Sequence, residues 1–389
     1  MNERIADVFV LSLTNGIGVR AFAADGLLDQ QKPMLRELQK HFGLVAVFGH
    51  GLDRDTIEDA DGLLVFDAVE DFAQTLLQHA KKAGLDSIRS AIVQSHQLDD
   101  GDAPVRMVTE LRDAGLDAAL VARGGYLHSR FIARRHGSDS PQARSAADAE
   151  RSLCAHADLV VGTTGVMVDD LAWRWRLPAG RTRVVPNFVD DAPAAGEFEG
   201  RDKNLLLSVG DMSRQKRMDL IVQAVADLPE HVRAEVRLVL VGRGDSRDDL
   251  IELAKSKDVT LELVDRMPHH ELMGLMKKAA LYLQASAYEG HPLALIEAMS
   301  TGCPAIVANT PGLGNLVENG VNGIVVPGTP ESLAYAVSGV LEDDAWREML
   351  GSSAASSARR RFGLKTVMDS QTDALRAALR FACETRQAA

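Results

Sequence analysis

The feature that most constrains this chain is a rhythm. Short apolar runs rich in β-branched residues alternate with amphipathic helical stretches almost throughout. In the first half the runs are "DVFVLSL", "LVAVFG", "GLLVF", "SAIVQS", "AALVARG", "DLVVGTT" and "RVVPN". In the second half they are "NLLLSVG", "VRLVLVG", "TLELV", "AALYLQAS", "PAIVAN" and "GIVVP". Buried runs separated by helices build parallel sheets covered on both faces. The expected fold class is α/β, with two doubly wound, Rossmann-like domains facing each other across a central cleft. The Pro-, Gly- and acid-rich stretch "DDAPAAGEFEGRDKN" has no periodicity and reads as a link between them. The expected organisation is a first domain over 1–190, a linker over 191–203 and a second domain over 204–369. A terminal helix, about 370–389, is expected to complete the first domain.

Charge and cysteine content narrow the functional classes. The formal net charge of −12 argues against broad neutralisation of nucleic-acid phosphates, so no nucleic-acid partner is expected. Cys154, Cys303 and Cys383 are far apart and form no CxxC pair, which fits a reducing cytoplasm and no structural zinc. The opening "MNERIADVFVLSLTNG" lacks a signal-peptide layout, and its apolar run is too short to span a bilayer. The expected location is cytoplasmic, with any membrane contact peripheral and at the inner face.

The most informative stretch is "YEGHPLALIEAMSTGCP" (Tyr288 to Pro304). "AALYLQAS" reads as a strand, the next residues as a turn, and "PLALIEAMSTG" as a helix ending at Gly302. Pro292 suits the first helical position, where its missing N–H costs nothing. Ligands of open α/β sheets bind beyond the carboxyl ends of strands, where helix N-termini offer free amides and partial positive charge. His291, Pro292, Leu293 and Ala294 thus form the expected anion-binding turn, and Gly290 lets backbone come close. Two glutamates flank it, Glu289 in the turn and Glu297 eight positions on. Both cannot face one phosphate without repulsion. Glu297 could accept from a ribose diol and Glu289 from the hydroxyls of a sugar, an order that matches a nucleotide-sugar. The bland alternative is a pair of carboxylates favoured by the helix dipole.

With its flanks, this stretch resembles the retaining GT-B glycosyltransferases of family 4 and their Glu-x7-Glu motif. The resemblance extends over "SVGDMSRQKRMDLIVQAV", "LVLVGRGD", "MPHHELMGLMKKAALYLQAS" and "GLGNLVENGVNGIVVPGTPESLAYAV", and reaches back to "HADLVVGTTGVMVDDLAWRWRLPAGRTRVVPNFVD". It implies Glu297 on the nucleotide ribose, Glu289 on the donor sugar and Lys216 on the diphosphate. The family has an Arg where this chain has Asp211, and Arg214 or Arg217 could substitute. A solvated surface is the alternative for these cations. The resemblance also places Arg266 near the base, whereas Gly242, Arg243 and Gly244 read more simply as a turn.

The first half offers fewer matches. Gly16 and Gly18 in "TNGIGVRAF" loosely resemble the glycine pair that nears the diphosphate. Arg123 stands where many family members have a His. It could stabilise developing charge but cannot accept a proton near neutral pH. His96 and His128 read as non-catalytic. Trp173-Arg174-Trp175-Arg176 with Arg130, Arg134 and Arg135 suggest interfacial or polyanionic contacts, a packing helix being the more ordinary alternative.

The resulting expectation is a retaining hexosyltransferase that uses a UDP- or GDP-sugar. Its acceptor is a glycan, glycolipid or small molecule, and envelope or exocellular glycans fit family habit. No cofactor and no metal are expected, because no acidic pair stands at the diphosphate site. The alternatives are another GT-B enzyme, such as an epimerase or phosphorylase, and a weakly catalytic nucleotide-sugar-binding subunit.

Overall fold

Every strand-like run of the sequence forms a strand. The computed structural model describes residues 4–387 apart from 15–16, 25, 52–55, 59–61, 68–70, 100–101 and 191–199. In chain order the first strands are β1 (Ala6–Ser12), β2 (Phe42–Gly49), β3 (Thr56–Glu58), β4 (Leu64–Asp67), β5 (Ser90–Ser95), β6 (Asp117–Gly124), β7 (Leu159–Gly162) and β8 (Thr182–Val184). They continue with β9 (Asp202–Val209), β10 (Arg237–Val241), β11 (Leu261–Val264), β12 (Ala279–Gln284), β13 (Ala305–Ala308) and β14 (Ile324–Val326). Only β3 was not expected. It is a three-residue strand paired antiparallel to β4, too short to show a pattern.

The first sheet has the order β3-β4-β2-β1-β5-β6-β7-β8 and the second β11-β10-β9-β12-β13-β14. Apart from β3 all pairings are parallel. In each sheet the chain builds outward from its first strand on one side, then crosses to the other. The crossing falls between β1 and β5 in the first sheet and between β9 and β12 in the second. These switch points are where doubly wound sheets open a crevice at their carboxyl edge.

The chain divides into two compact units, Met1–Pro186 with Val367–Ala389, and Asn187–Thr366. The observed division falls a few residues before the expected limits of 190 and 369. Asn187 to Asp190 are held by the second unit. The Val189 N–H donates to the Phe362 carbonyl at 2.8 Å, and the Leu364 N–H donates back to Val189 at 3.1 Å. Asp202 and Lys203, expected in the linker, are ladder residues of β9. Most of the remaining linker lies outside the described residues.

The last helix, Leu364–Gln387, supplies apolar side chains to the first unit from Val367 onward, with Leu375 and Ala378 fully buried. Buried Gln371 donates to the Gln94 side chain of β5 at 2.7 Å. Arg181 stacks over Phe381, 4.4 Å from its centroid.

Strand β12 shows how sequence sets the site. All six of its residues are buried. Because side chains alternate across a strand, Tyr282 and Gln284 share one face, continued by Ser286, while Leu281 and Leu283 point to the other. The leucines join the core that contains Leu206, Ile221 and Leu240. Tyr282 joins the opposite core with Leu295, Met299 and Phe362. The polar groups therefore line up on the face covered by the helix Leu293–Ser300.

Candidate nucleotide-sugar site

The loops that follow β9 and β12 meet at the switch point of the second sheet. The turn after β9 is stitched to the turn after β12 by Gln215. Its carbonyl accepts from the Ala287 N–H at 2.8 Å and its side chain donates to the Tyr288 carbonyl at 2.9 Å. This seam brings Lys216 to Glu289. The ammonium lies 2.6 Å from Glu289 Oε1, with side chains 21% and 8% exposed respectively. Gln284 Nε2 donates to the same oxygen at 2.9 Å and Tyr282 OH donates to Gln284 Oε1 at 3.2 Å. Burial first, then the negative charges of Glu289 and Glu297, keeps the Tyr282 hydroxyl well above the usual phenol range. It stays a proton donor.

Glu289 is also gripped from behind. Its N–H donates to the Pro311 carbonyl at 2.9 Å, and Thr310 Oγ1 donates to the Ser286 carbonyl at 2.7 Å. Gly312 has φ +87°, and a Cβ there would stand 2.3 Å from the Glu289 carbonyl oxygen. Only glycine serves at such a contact.

The helix begins one residue later than expected. Pro292 is the capping residue, with φ −67° and ψ 108°, and Leu293–Ser300 is helical. Pro292 is half inside, since its carbonyl accepts the first helical bond from Ile296 at 3.3 Å. No side chain caps this end, so the amides of Leu293 and Ala294 point beyond β12. Gly290 lies in the bend before them. His291 is committed to packing: its ring meets Phe362 edge-on at 4.9 Å and its carbonyl accepts from Asn187 at 2.9 Å. Glu297, buried in the second turn, receives His269 Nε2 at 2.9 Å.

Among the cations, Arg217 caps the helix Met218–Ala226 with a left-handed backbone of φ 49°. Its guanidinium approaches Gly328, where a Cβ would stand 3.6 Å from Nη1. Arg214 and Asp211 are exposed, and neither side chain has an ion-pair partner among the described residues. Arg266 is exposed in the loop after β11. Arg243 ion-pairs with Asp265 at 3.3 Å. Among the described residues no group of three or more His, Cys, Asp or Glu could hold a metal ion.

Arg123 belongs to the first unit, at the end of β6. Ser95 Oγ accepts from its N–H at 2.9 Å and donates to its carbonyl at 3.0 Å. Burial lowers its guanidinium to about 10, so it stays charged near neutrality. His96 follows β5 and is lowered to about 4 by burial and then by the Arg123 charge. His50, next to Ser12 Oγ at 3.1 Å, is lowered to about 4 by burial and then by Arg106. His128 stands 3.9 Å from Asp99. Gly16 lies outside the described residues.

Sequence reasoning therefore named Lys216, Glu289 and Glu297 but missed the residues that hold them. Gln284 was visible as the one amide in the apolar run "AALYLQ", and His269 as the first of a His pair opening a helix. Gln215 and Gly312 carried no signal, because their roles depend on contacts distant in sequence.

This geometry defines two doubly wound α/β units. The solved structures with the same architecture identify it as the GT-B fold. Sucrose-phosphate synthase from Thermosynechococcus elongatus superposes with a TM-score of 0.69 at 19% identity, over 94% of this chain and 98% of that one. The Anabaena protein HepE, in complex with UDP-glucose, gives 0.64 at 19% identity, over 94% and 98%. Residues 194–357 match the family model for glycosyl transferases group 1, and residues 109–192 match glycosyltransferase family 4. The chain belongs to this GT4-type family of glycosyltransferases. An uncharacterized glycosyltransferase of Methanocaldococcus jannaschii is 33% identical over 156 residues, 39% of this chain and 40% of that protein. The chain spans between 40% and 61% of the length of the first curated relatives it matches.

Two outcomes follow from this geometry. Gly312→Ala drives a methyl group into the Glu289 backbone, and a misplacement of this kind costs on the order of a hundredfold in turnover. Steady-state kinetics beside a melting curve will separate this from unfolding; unchanged kcat would detach Gly312 from the site. For His50 and His96 the folded-state value lies below the ordinary 6.5, so the unfolded chain binds more protons. Their contribution to stability is complete above 6.5 and is lost as pH falls toward about 4. The double variant His50→Gln/His96→Gln should lose less Tm than wild type between pH 7 and pH 5, by several degrees (roughly). Parallel melting profiles would contradict it.

Proposed function

We propose that this protein is a retaining glycosyltransferase that moves a hexosyl group from a nucleoside-diphosphate sugar to an acceptor hydroxyl. One observation carries the proposal. At the switch point beyond β9 and β12, a cation, an uncapped helix start, the nearly enclosed Glu289 carboxylate and buried Glu297 gather at one sheet edge, the kinds of group that a ribose, a diphosphate and a hexose require. Glu297 accepts from the ribose diol, and Glu289 accepts from the hexose. Lys216 and the Leu293 and Ala294 amides take up the charge that develops on the departing diphosphate. Arg217 and Gly290 border that diphosphate, and Arg266 borders the base. Arg123 is the charge-stabilising residue proposed for the first unit. The chemistry is front-side: the leaving phosphate helps deprotonate the acceptor while the sugar passes through an oxocarbenium-like state. UDP- and GDP-sugars are the proposed donors, and no metal or cofactor takes part in the proposal.

The proposed acceptor is a glycan, glycolipid or small molecule, with envelope or exocellular glycans as the destination and the cytoplasm as the location. Peripheral membrane contact is part of the proposal, and the surface of two helices supports it. Val166 and Trp173 sit seven positions apart on one face of the helix Gly165–Trp175, 68% and 78% exposed. Between them Asp170 is ion-paired by Arg130 from the helix His128–His136, which also exposes Arg134 and Arg135. Exposed tryptophan beside arginine suits an anionic bilayer surface. Among the described residues no helix is long and apolar enough to cross a membrane.

The test begins with UDP-, GDP- and ADP-glucose in thermal melts, since a ligand that binds only the folded state raises Tm. Glu297→Ala should weaken binding of the free nucleoside diphosphate itself. Glu289→Ala should spare that binding and abolish most turnover. Lys216→Ala should lower kcat/KM by on the order of a hundredfold or more, the scale for one preorganised charge stabiliser. Nucleotide released only when an acceptor is present distinguishes transfer from epimerisation. An inert Lys216→Ala would place the diphosphate elsewhere.

For the membrane contact, Trp173→Ala/Arg134→Glu/Arg135→Glu should lose co-sedimentation with phosphatidylglycerol vesicles and retain soluble-acceptor activity. Equal sedimentation of wild type and variant would remove this surface from the account.

A further inference from the structure

The two oxygens of Glu289 are held unequally. Oε1 receives both Lys216 Nζ at 2.6 Å and Gln284 Nε2 at 2.9 Å. Among the described residues no protein donor reaches Oε2. The amide that makes this difference is itself oriented. An ionised carboxylate only accepts, so the Gln284 nitrogen must face Glu289. The remaining proton of that nitrogen goes to Ser286 Oγ at 3.3 Å. The Gln284 oxygen then faces Tyr282, whose single hydroxyl proton it accepts at 3.2 Å, nearer than the Val209 carbonyl at 3.5 Å. Tyr282 is 0% exposed and Gln284 3%. Such a buried, fully paired relay has one low-energy arrangement, because reversing the amide leaves Glu289 facing an acceptor.

We infer that Gln284, locked by Tyr282, is a positioning residue that saturates Glu289 Oε1 and leaves Oε2 as the acceptor presented to the hexose. This deepens the donor-sugar role proposed for Glu289 and rests on it. Lys216 alone could not perform the selection. An ammonium on a flexible stem can swing between the two carboxylate oxygens, and it is the group that the donor diphosphate recruits. When Lys216 turns to the phosphate, the Gln284 bond is what still fixes the carboxylate rotamer. Nucleotide recognition should not depend on Gln284, because the ribose partner Glu297 is held separately, by His269.

The experiment uses the full chain and whichever of UDP, GDP or ADP, with its glucose conjugate, stabilises wild type most. Calorimetry gives Kd for the free diphosphate and for the conjugate, and single-donor kinetics give kcat. Gln284→Met keeps the length and apolar stem but cannot donate. It should leave Kd for the free diphosphate within about twofold while kcat falls by on the order of tenfold to a hundredfold. Tyr282→Phe, which deletes one oxygen, should show the same split in milder form, and it carries the test if Gln284→Met melts early. Gln284→Glu sets a second carboxylate against Glu289, and like charge raises the affinity of the pair for a proton. Once protonated, the new side chain can donate again, so its activity relative to wild type should recover as pH falls from about 8 to about 6. A merely structural Gln284 would show no such recovery. Wild-type kcat in Gln284→Met, or a Gln284→Glu profile parallel to wild type, overturns the assignment. Wild type that gains no affinity from the hexose would overturn the role of Glu289 first, and this inference with it.

Discussion

The site depends on one ion pair between residues 73 positions apart, Lys216 and Glu289. A buried carboxylate is costly unless charge and hydrogen bonds meet it. Here the cation comes from the loop after β9, the amide from β12 and the backbone clamp from the Thr310 to Gly312 loop. Three loops at one sheet edge thus need each other. The seam through Gln215 makes the dependence mutual, because the loop carrying Lys216 is anchored on the turn carrying Glu289. The pair neutralises itself. On the proposed function, a diphosphate competes with Glu289 for Lys216, so donor binding must leave the carboxylate with other partners.

The first unit solves a different electrostatic problem at its own switch point. Arg123 keeps its charge despite burial, and that charge helps keep His96 neutral. Burial first, and then the Arg106 charge, keep His50 neutral as well. Concentrating positive charge on arginine while silencing neighbouring imidazoles gives a cluster of buried groups whose charge is constant across the physiological range. A His at the Arg123 position would titrate where Arg123 does not. On the proposed function, an Arg at this place supplies charge where a His could also move a proton.

Most of the architecture was legible because it is written in short-range pattern. Thirteen apolar runs announced thirteen strands, and the helix at Leu293–Ser300 starts one residue late through the capping role of Pro292 and ends two residues before the expected Gly302. Lys216, Glu289 and Glu297 could be singled out because they stand near strand-to-helix junctions within recognisable motifs. What could not be read were the partners. Gln284 serves Glu289 because a period-two strand places it on the face of Tyr282, and Gly312 matters only because the Glu289 carbonyl oxygen lies 2.3 Å from where a Cβ would stand. His269 reaches Glu297 across 28 positions. Pattern reports which face a residue takes, and it is silent on which distant segment will meet that face. The linker shows a lesser limit: Asp202 and Lys203 look like loop residues by composition but continue the β9 ladder.

The same limit bears on the missing second cation. Asp211 is exposed and carries no countercharge among the described residues, so nothing in its surroundings turns it into a phosphate ligand. Arg217 differs in its backbone. A non-glycine residue at φ 49° costs about 1 kcal/mol or more relative to ordinary helix entry. That conformation occurs directly after Lys216, where the chain must leave the Ser213 turn and enter the helix Met218–Ala226. Both Lys216 and Arg217 N–H groups donate to the Ser213 carbonyl, at 3.0 and 3.3 Å. The tight turn therefore fixes two consecutive cationic residues at a helix start, one pointing to Glu289 and the other toward Gly328. Glycine at 217 would relieve the backbone and lose the guanidinium. On the proposed function, an arginine held there at a conformational cost is the better substitute for the absent family cation than exposed Arg214. A guanidinium in that place adds a full charge where the helix dipole alone supplies a fraction of one.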